Sequence, residues 1–144
     1  MVNVSMLGAS GRMGRTIIPL LHEAGDLRLS GALAAPGDTS IGQDAGVLSG
    51  IASLAVPISD NATVALRDAQ VAIDFTLPVA SVDHARLCAD RGCGLVIGTT
   101  GHDPAQRARH IGRGSVLARY CAARVFLATT RREPERHVVL RGIQ

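Results

Sequence analysis

The sequence contains no lysine; all 15 of its basic residues are arginine. A Tyr-x-x-x-Lys acid–base pair therefore cannot be built from it in any register. Aromatic residues are almost as scarce, at 2%, so a core has to be assembled mainly from Val, Leu, Ile and Ala. That composition suits α/β proteins whose parallel strands are covered on both faces. The three cysteines, Cys88, Cys93 and Cys121, are odd in number and show no CxxC spacing. They are read as ordinary reduced thiols of a cytoplasmic protein, not as a disulfide framework or a metal site. No apolar run reaches membrane-spanning length, and the N-terminus lacks the basic stretch of a signal peptide, so no membrane partner is expected. At 144 residues the chain suits one domain, long enough to bury about two-thirds of its unfolded surface without a staple.

What charge there is lies unevenly. Residues 1–103 carry six Arg against ten Asp and Glu, a balance of −4, whereas residues 104–144 carry nine Arg against two Glu, a balance of +7. A basic tail attracts nucleic acid electrostatically. This one has a single Tyr and a single Phe for stacking and no nucleic-acid module, so no nucleic-acid partner is expected.

Hydrophobic periodicity divides the chain into alternating strands and helices. Val2–Leu7 is a short apolar run ending at glycine, read as a buried strand. Met13, Ile17, Ile18, Leu20 and Leu21 recur at helical spacing over Arg12–Glu23, with Gly25 as the stop and Pro19 as an interior kink. Leu27–Leu33 reads as a second strand, and Pro36–Gly50 as a long loop with at most a short helical turn. Ala55–Ile58 reads as an edge strand because Pro57 is excluded from a central one. Asp60 or Asn61 caps a weak helix through Leu66, Val71–Phe75 is a buried strand, and Pro78–Arg91 is a helix with proline in its first turn. Leu95–Ile97 is another strand, and Asp103-Pro104 opens a helix to about Ile111. The expected fold is a Rossmann-type α/β parallel sheet with helices on both faces, over residues 1–118. Residues 119–144 show no sustained periodicity and read as a basic tail.

Three segments carry chemistry. Gly8-Ala9-Ser10-Gly11-Arg12-Met13-Gly14 turns the first strand into the first helix. Glycine is needed where the backbone turns sharply or must approach a phosphate, and the helix start aims free N–H groups and a positive dipole end at it. This spacing is G-x-x-G-x-x-G; its place after the first strand points to the pyrophosphate of a nicotinamide dinucleotide. Arg12 either adds charge there or is a solvated first-turn arginine. A dinucleotide site of this kind uses an acid after the second strand to hold the ribose, but Leu33-Ala34-Ala35 offers none before Asp38. Either Asp38 reaches back or backbone alone holds the ribose, and the choice between NAD and NADP stays open. Ile73-Asp74-Phe75-Thr76-Leu77-Pro78 and Gly98-Thr99-Thr100-Gly101 both follow the carboxyl ends of strands, where ligands bind in open α/β sheets. The two threonines can serve a carboxamide or ribose, or simply the turn. Asp74 caps its loop or touches ligand.

Taken together, GASGRMG, Gly42-Gln43-Asp44-Ala45-Gly46, IDFTLP with His84 six residues on, and VIGTTG resemble the N-terminal domain of the 4-hydroxy-tetrahydrodipicolinate reductase (dihydrodipicolinate reductase) family of bacterial lysine and diaminopimelate synthesis. The order and spacing match over about residues 1–112. The resemblance implies an NADPH- or NADH-dependent oxidoreductase reducing a cyclic dicarboxylate imine. It implies that Gly8, Ala9, Ser10, Gly11, Arg12 and Met13 hold the pyrophosphate and that Gly98, Thr99 and Thr100 line the nicotinamide end. Ala34 stands where many members carry the ribose-binding acid, and His84 is structural.

Further along, Ala118-Arg119-Tyr120-Cys121 is an imperfect echo of the family's Ala-Asn-Phe/Tyr-Ser. The family's His-His segment is missing, and a lysine-free chain cannot supply its Lys-x-x-x-x-Ser-Gly-Thr segment. The expectation is a truncated reductase: no substrate domain, no catalytic residue, no metal site, no family tetramer, and little or no turnover alone. The change from −4 to +7 fits an out-of-frame reading of a GC-rich gene. The alternative is a non-catalytic NAD(P)-binding regulatory or interaction module.

Overall fold

The computed structural model describes residues 1–99, residue 105, and the backbone of Ala118–Cys121 and Arg124–Val125. Strand β1 (Val2–Leu7) leads to helix α1 (Arg12–Glu23) and strand β2 (Leu27–Leu33). Helix α2 (Ala45–Leu48), strand β3 (Ile58–Ser59) and helix α3 (Ala62–Ala65) are short. Strand β4 (Val71–Asp74), helix α4 (Pro78–Arg91) and strand β5 (Gly94–Ile97) follow, then strands β6 (Ala118–Cys121) and β7 (Arg124–Val125).

The two long helices start and stop where their sequences dictate. In α1, Ile17, Ile18 and Leu21 are buried on one face, and Gly25 takes a left-handed backbone just beyond the last turn, a conformation glycine adopts without strain. Pro19 lies within the helix without ending it, since a single proline removes one hydrogen bond while the buried face still holds both halves. In α4, Pro78 sits in the first turn, where its missing N–H has no intrahelical acceptor in any case. At its other end Gly92 is left-handed, and the N–H groups of Gly92 and Cys93 donate to the Ala89 and Cys88 carbonyls at 3.2 and 2.9 Å.

The sheet order is β3-β2-β1-β4-β5-β6-β7. Every pair from β3 to β6 is parallel, and only β7 runs antiparallel to its neighbour β6. Alternate residues along each strand face opposite cores. Met6, Ala32, Ile73 and Val96 join Ile17, Ile18 and Leu21 of α1 on one side. Leu7, Leu33, Ala72, Leu95 and Ile97 join Ala65 of α3 and Ala85 and Cys88 of α4 on the other. A fully buried side chain such as Ile18 contributes about 2 kcal/mol by leaving water. The fold is thus a Rossmann-like α/β sheet wound on both faces.

One expectation shifts in detail. The edge strand read at Ala55–Ile58 lies instead at Ile58–Ser59. Ala55 has a φ of +56°, which no strand residue adopts, and Pro57 has no N–H to give a ladder. Strand β6 pairs with β5 through Val96–Ala118 and Ile97–Arg119. The helix read from Asp103-Pro104 to about Ile111 lies, apart from residue 105, outside the described residues.

Candidate functional site

The chain leaves β1 for β2 and β3 on one side, then returns to place β4 on the other side of β1. Strand order therefore reverses between β1 and β4, and the crevice beyond their carboxyl ends is where open α/β sheets take ligands. The glycine segment forms one wall. Gly8 has a φ of +88°, and a Cβ there would lie 2.8 Å from the Phe75 carbonyl oxygen. A Cβ on Gly14 would collide with the Gly8 carbonyl oxygen and lie 2.6 Å from that of Ala9. Gly8 and Ala9 both donate N–H groups to the Leu33 carbonyl, at 2.9 and 2.8 Å, pinning the turn to the end of β2. Gly11 is the N-cap of α1, and no side chain caps the helix. The first N–H groups of such a helix have no acceptor within it, and Arg12 and Met13 there are exposed.

Ala34, immediately after β2, is buried in the core and gives its N–H to the Ser59 carbonyl at 2.9 Å. It brings no side-chain polar atom to the crevice. Asp38 does come back to it. The Ser10 hydroxyl donates to Asp38 Oδ2 at 2.7 Å, and the Ser40 N–H and hydroxyl donate to Oδ1 at 2.8 and 2.6 Å. The Ser40 and Ser10 bonds lower the Asp38 pKa to about 2. Arg15 extends along the same turn, its Nε donating to the Ser10 carbonyl at 3.0 Å.

The opposite wall is held by a buried acid. Asp74, at the end of β4, is fully shielded from solvent. Its Oδ1 accepts the Thr76 N–H at 2.8 Å and the Thr76 hydroxyl at 2.6 Å, and Oδ2 lies 3.0 Å from His84 Nδ1. Burial pushes the Asp74 pKa up, but the His84 contact and the Thr76 bonds outweigh it and leave it below the ordinary carboxylate value. The Thr99 hydroxyl lies 3.3 Å from the Asp74 carbonyl oxygen and 3.4 Å from Oδ1. Of the two roles read for Asp74, the structure shows it holding its loop. His84 sits in the same buried cluster. The Phe75 ring fills the space a Cβ would need at Gly98, and the Gly98 N–H donates to the Asp74 carbonyl at 2.8 Å. Gly8 and Gly98 thus both pack against Phe75 and Thr99 lies beside Asp74, while Thr100 lies outside the described residues.

Sequence reasoning gave Asp44 no role. Burial raises its pKa, yet bonds from the Val47, Leu54 and Val56 N–H groups and from Ser53 bring it down to about 2. Its place before Ala45-Gly46-Val47 carried the N-cap signal for α2; the ties to residues 54 and 56 had none. Among the described residues, no group of three or more His, Cys, Asp or Glu could hold a metal. None of their helices is long and apolar enough to cross a membrane.

A family model described as "Dihydrodipicolinate reductase, N-terminus" matches residues 2–111. The chain belongs to this family. It is 50% identical over 109 residues to a 4-hydroxy-tetrahydrodipicolinate reductase of Anaeromyxobacter sp., covering 76% of this chain and 40% of that one. It is 44% identical over 105 residues to the Acinetobacter baumannii protein of the same name, covering 73% and 38%. The chain therefore spans about two-fifths of the length of the curated relatives it matches. Among solved structures, a dipicolinate-bound dihydrodipicolinate reductase from Paenisporosarcina sp. superposes with a TM-score of 0.64 at 21% identity, over 83% of this chain and 46% of that one. That likeness carries the fold alone.

Proposed function

We propose that this chain binds a nicotinamide dinucleotide, NADH or NADPH, as the cofactor half of a 4-hydroxy-tetrahydrodipicolinate reductase in lysine and diaminopimelate synthesis. The observation that carries the reading is the turn after β1. Its left-handed Gly8 and close-packed Gly14 leave a cradle that a Cβ would fill, in front of an uncapped helix start. In this reading Gly8, Ala9, Ser10, Gly11, Arg12 and Met13 hold the pyrophosphate by backbone N–H groups and the positive end of α1. Ala34 marks the ribose side without a polar side chain. Gly98, Thr99 and Thr100 border the nicotinamide end, with Thr99 oriented by Asp74. When bound, the cofactor supplies the hydride, and the chain's own contribution is to orient it and keep its ring in the crevice.

Assayed alone, these 144 residues are proposed to bind cofactor with little or no reductase turnover, because the lysine-bearing segment that grips the dicarboxylate in the family has no counterpart in the sequence. Fluorescence titration with NADH and NADPH, beside a reductase assay, tests both statements. Saturable binding without turnover is the expected result. Failure of both nucleotides to bind overturns the cofactor reading, and turnover at a rate typical of the relatives overturns the statement on activity.

A further inference from the structure

We infer that Asp38 selects the cofactor, taking the ribose hydroxyls of NADH and disfavouring the 2′-phosphate of NADPH; this rests on the cofactor site proposed above. A dinucleotide site of this fold uses an acid after β2 to hold the adenosine ribose, and Ala34 at that place is buried and has no polar side-chain atom. Asp38 is the next carboxylate along the chain. The Ser10 hydroxyl joins it to the pyrophosphate turn itself across 28 residues, while Ser40 fixes it from the other side with two bonds.

The carboxylate is therefore both placed and charged. Held near a pKa of 2, it is ionised at neutral pH. Oδ1 takes two of these bonds and Oδ2 one, and a carboxylate has about four acceptor sites. Asp38 is half-buried, and among the described residues its Oδ2 accepts one bond, which leaves a second acceptor site for a ribose hydroxyl. A 2′-phosphate would instead bring a second anion against it. Arg15, the cation whose charge reaches Asp38, has its Nε committed to the Ser10 carbonyl. Arg12 is the other guanidinium on the turn and is the residue that would have to offset the repulsion.

The whole chain is titrated with NADH and NADPH, and with ADP-ribose and its 2′-phosphate to isolate the adenosine half. The expected result is at least about tenfold tighter binding of the ligands without the 2′-phosphate, the range of one unfavourable charge pair. Asp38→Asn removes the charge and is expected to narrow that ratio to about threefold or less, chiefly by improving NADPH. Ser10→Ala keeps the charge but unties it, and is expected to weaken NADH several-fold while NADPH stays poor. Equal binding of NADH and NADPH, or a ratio unchanged in Asp38→Asn, overturns the inference but leaves the cofactor site standing. Tighter NADPH binding that Arg12→Ala abolishes overturns it in favour of an arginine clamp. Binding of neither nucleotide overturns the site and the inference together.

Discussion

On the β1 side the crevice is shaped by side chains that are missing, and on the β4 side by a buried carboxylate and the polar groups around it. Gly8 and Gly14 let backbone meet backbone between the first turn, α1 and Phe75. Across the gap, Asp74, Thr76, His84 and Thr99 hold the second and third turns through a polar cluster centred on the buried Asp74, with the two threonines half-exposed. One wall depends on steric room, which does not titrate; the other on an ionised carboxylate in a setting where loss of either partner leaves the rest unsatisfied.

The largest expected effect is on the charged wall. Asp74→Ala leaves the half-buried Thr76 donors and the buried His84 without their partner and should cost about 3–5 kcal/mol, read as a lower denaturation midpoint. Gly14→Ala on the steric wall drives a methyl into the Gly8 and Ala9 carbonyls and should cost about 3 kcal/mol. The comparison is sharpened by pH. The folded-state pKa of Asp74 lies below its ordinary value of 3.8, so its contribution is present above about pH 4 and is lost as pH falls toward the lower folded value. The Asp74→Ala deficit should therefore shrink in acid while the Gly14→Ala deficit stays flat; parallel curves would break the distinction. Asp44→Ala, in the loop between β2 and β3, should cost about 1–2 kcal/mol through the lost cap of α2 and its two distant ties. Its stabilisation too should fade between about pH 4 and 2, because its folded pKa is about 2.

The long elements were legible because punctuation and periodicity agreed. Gly25 stops α1, whose apolar face recurs at helical spacing, and Pro78 starts α4 where its missing donor does no harm. The sheet's two-sided burial followed from an aliphatic composition poor in aromatics. The edge strand moved because a left-handed Ala55 has no marker in the sequence; glycine is the residue that announces such a backbone. At the site, the glycines were readable as a set because each answers a local backbone demand. The polar ties were not. Ser10 meets Asp38 over 28 residues and Asp74 meets Thr99 over 25, and neither distance corresponds to any repeat of helix or strand. Asp38 had been one of two ways to hold a ribose; its bond to Ser10 is what brings it to the turn.

The Phe75 ring resting where Gly98 has no side chain joins two segments that lie far apart in the chain. To a protein engineer this is one part made in two pieces. Any side chain added at 98 must be matched by one removed at 75, so libraries that vary the loop after β5 alone will return mostly misfits. Paired libraries that trade volume between the two positions can reshape the floor of the crevice while leaving the sheet beneath it intact.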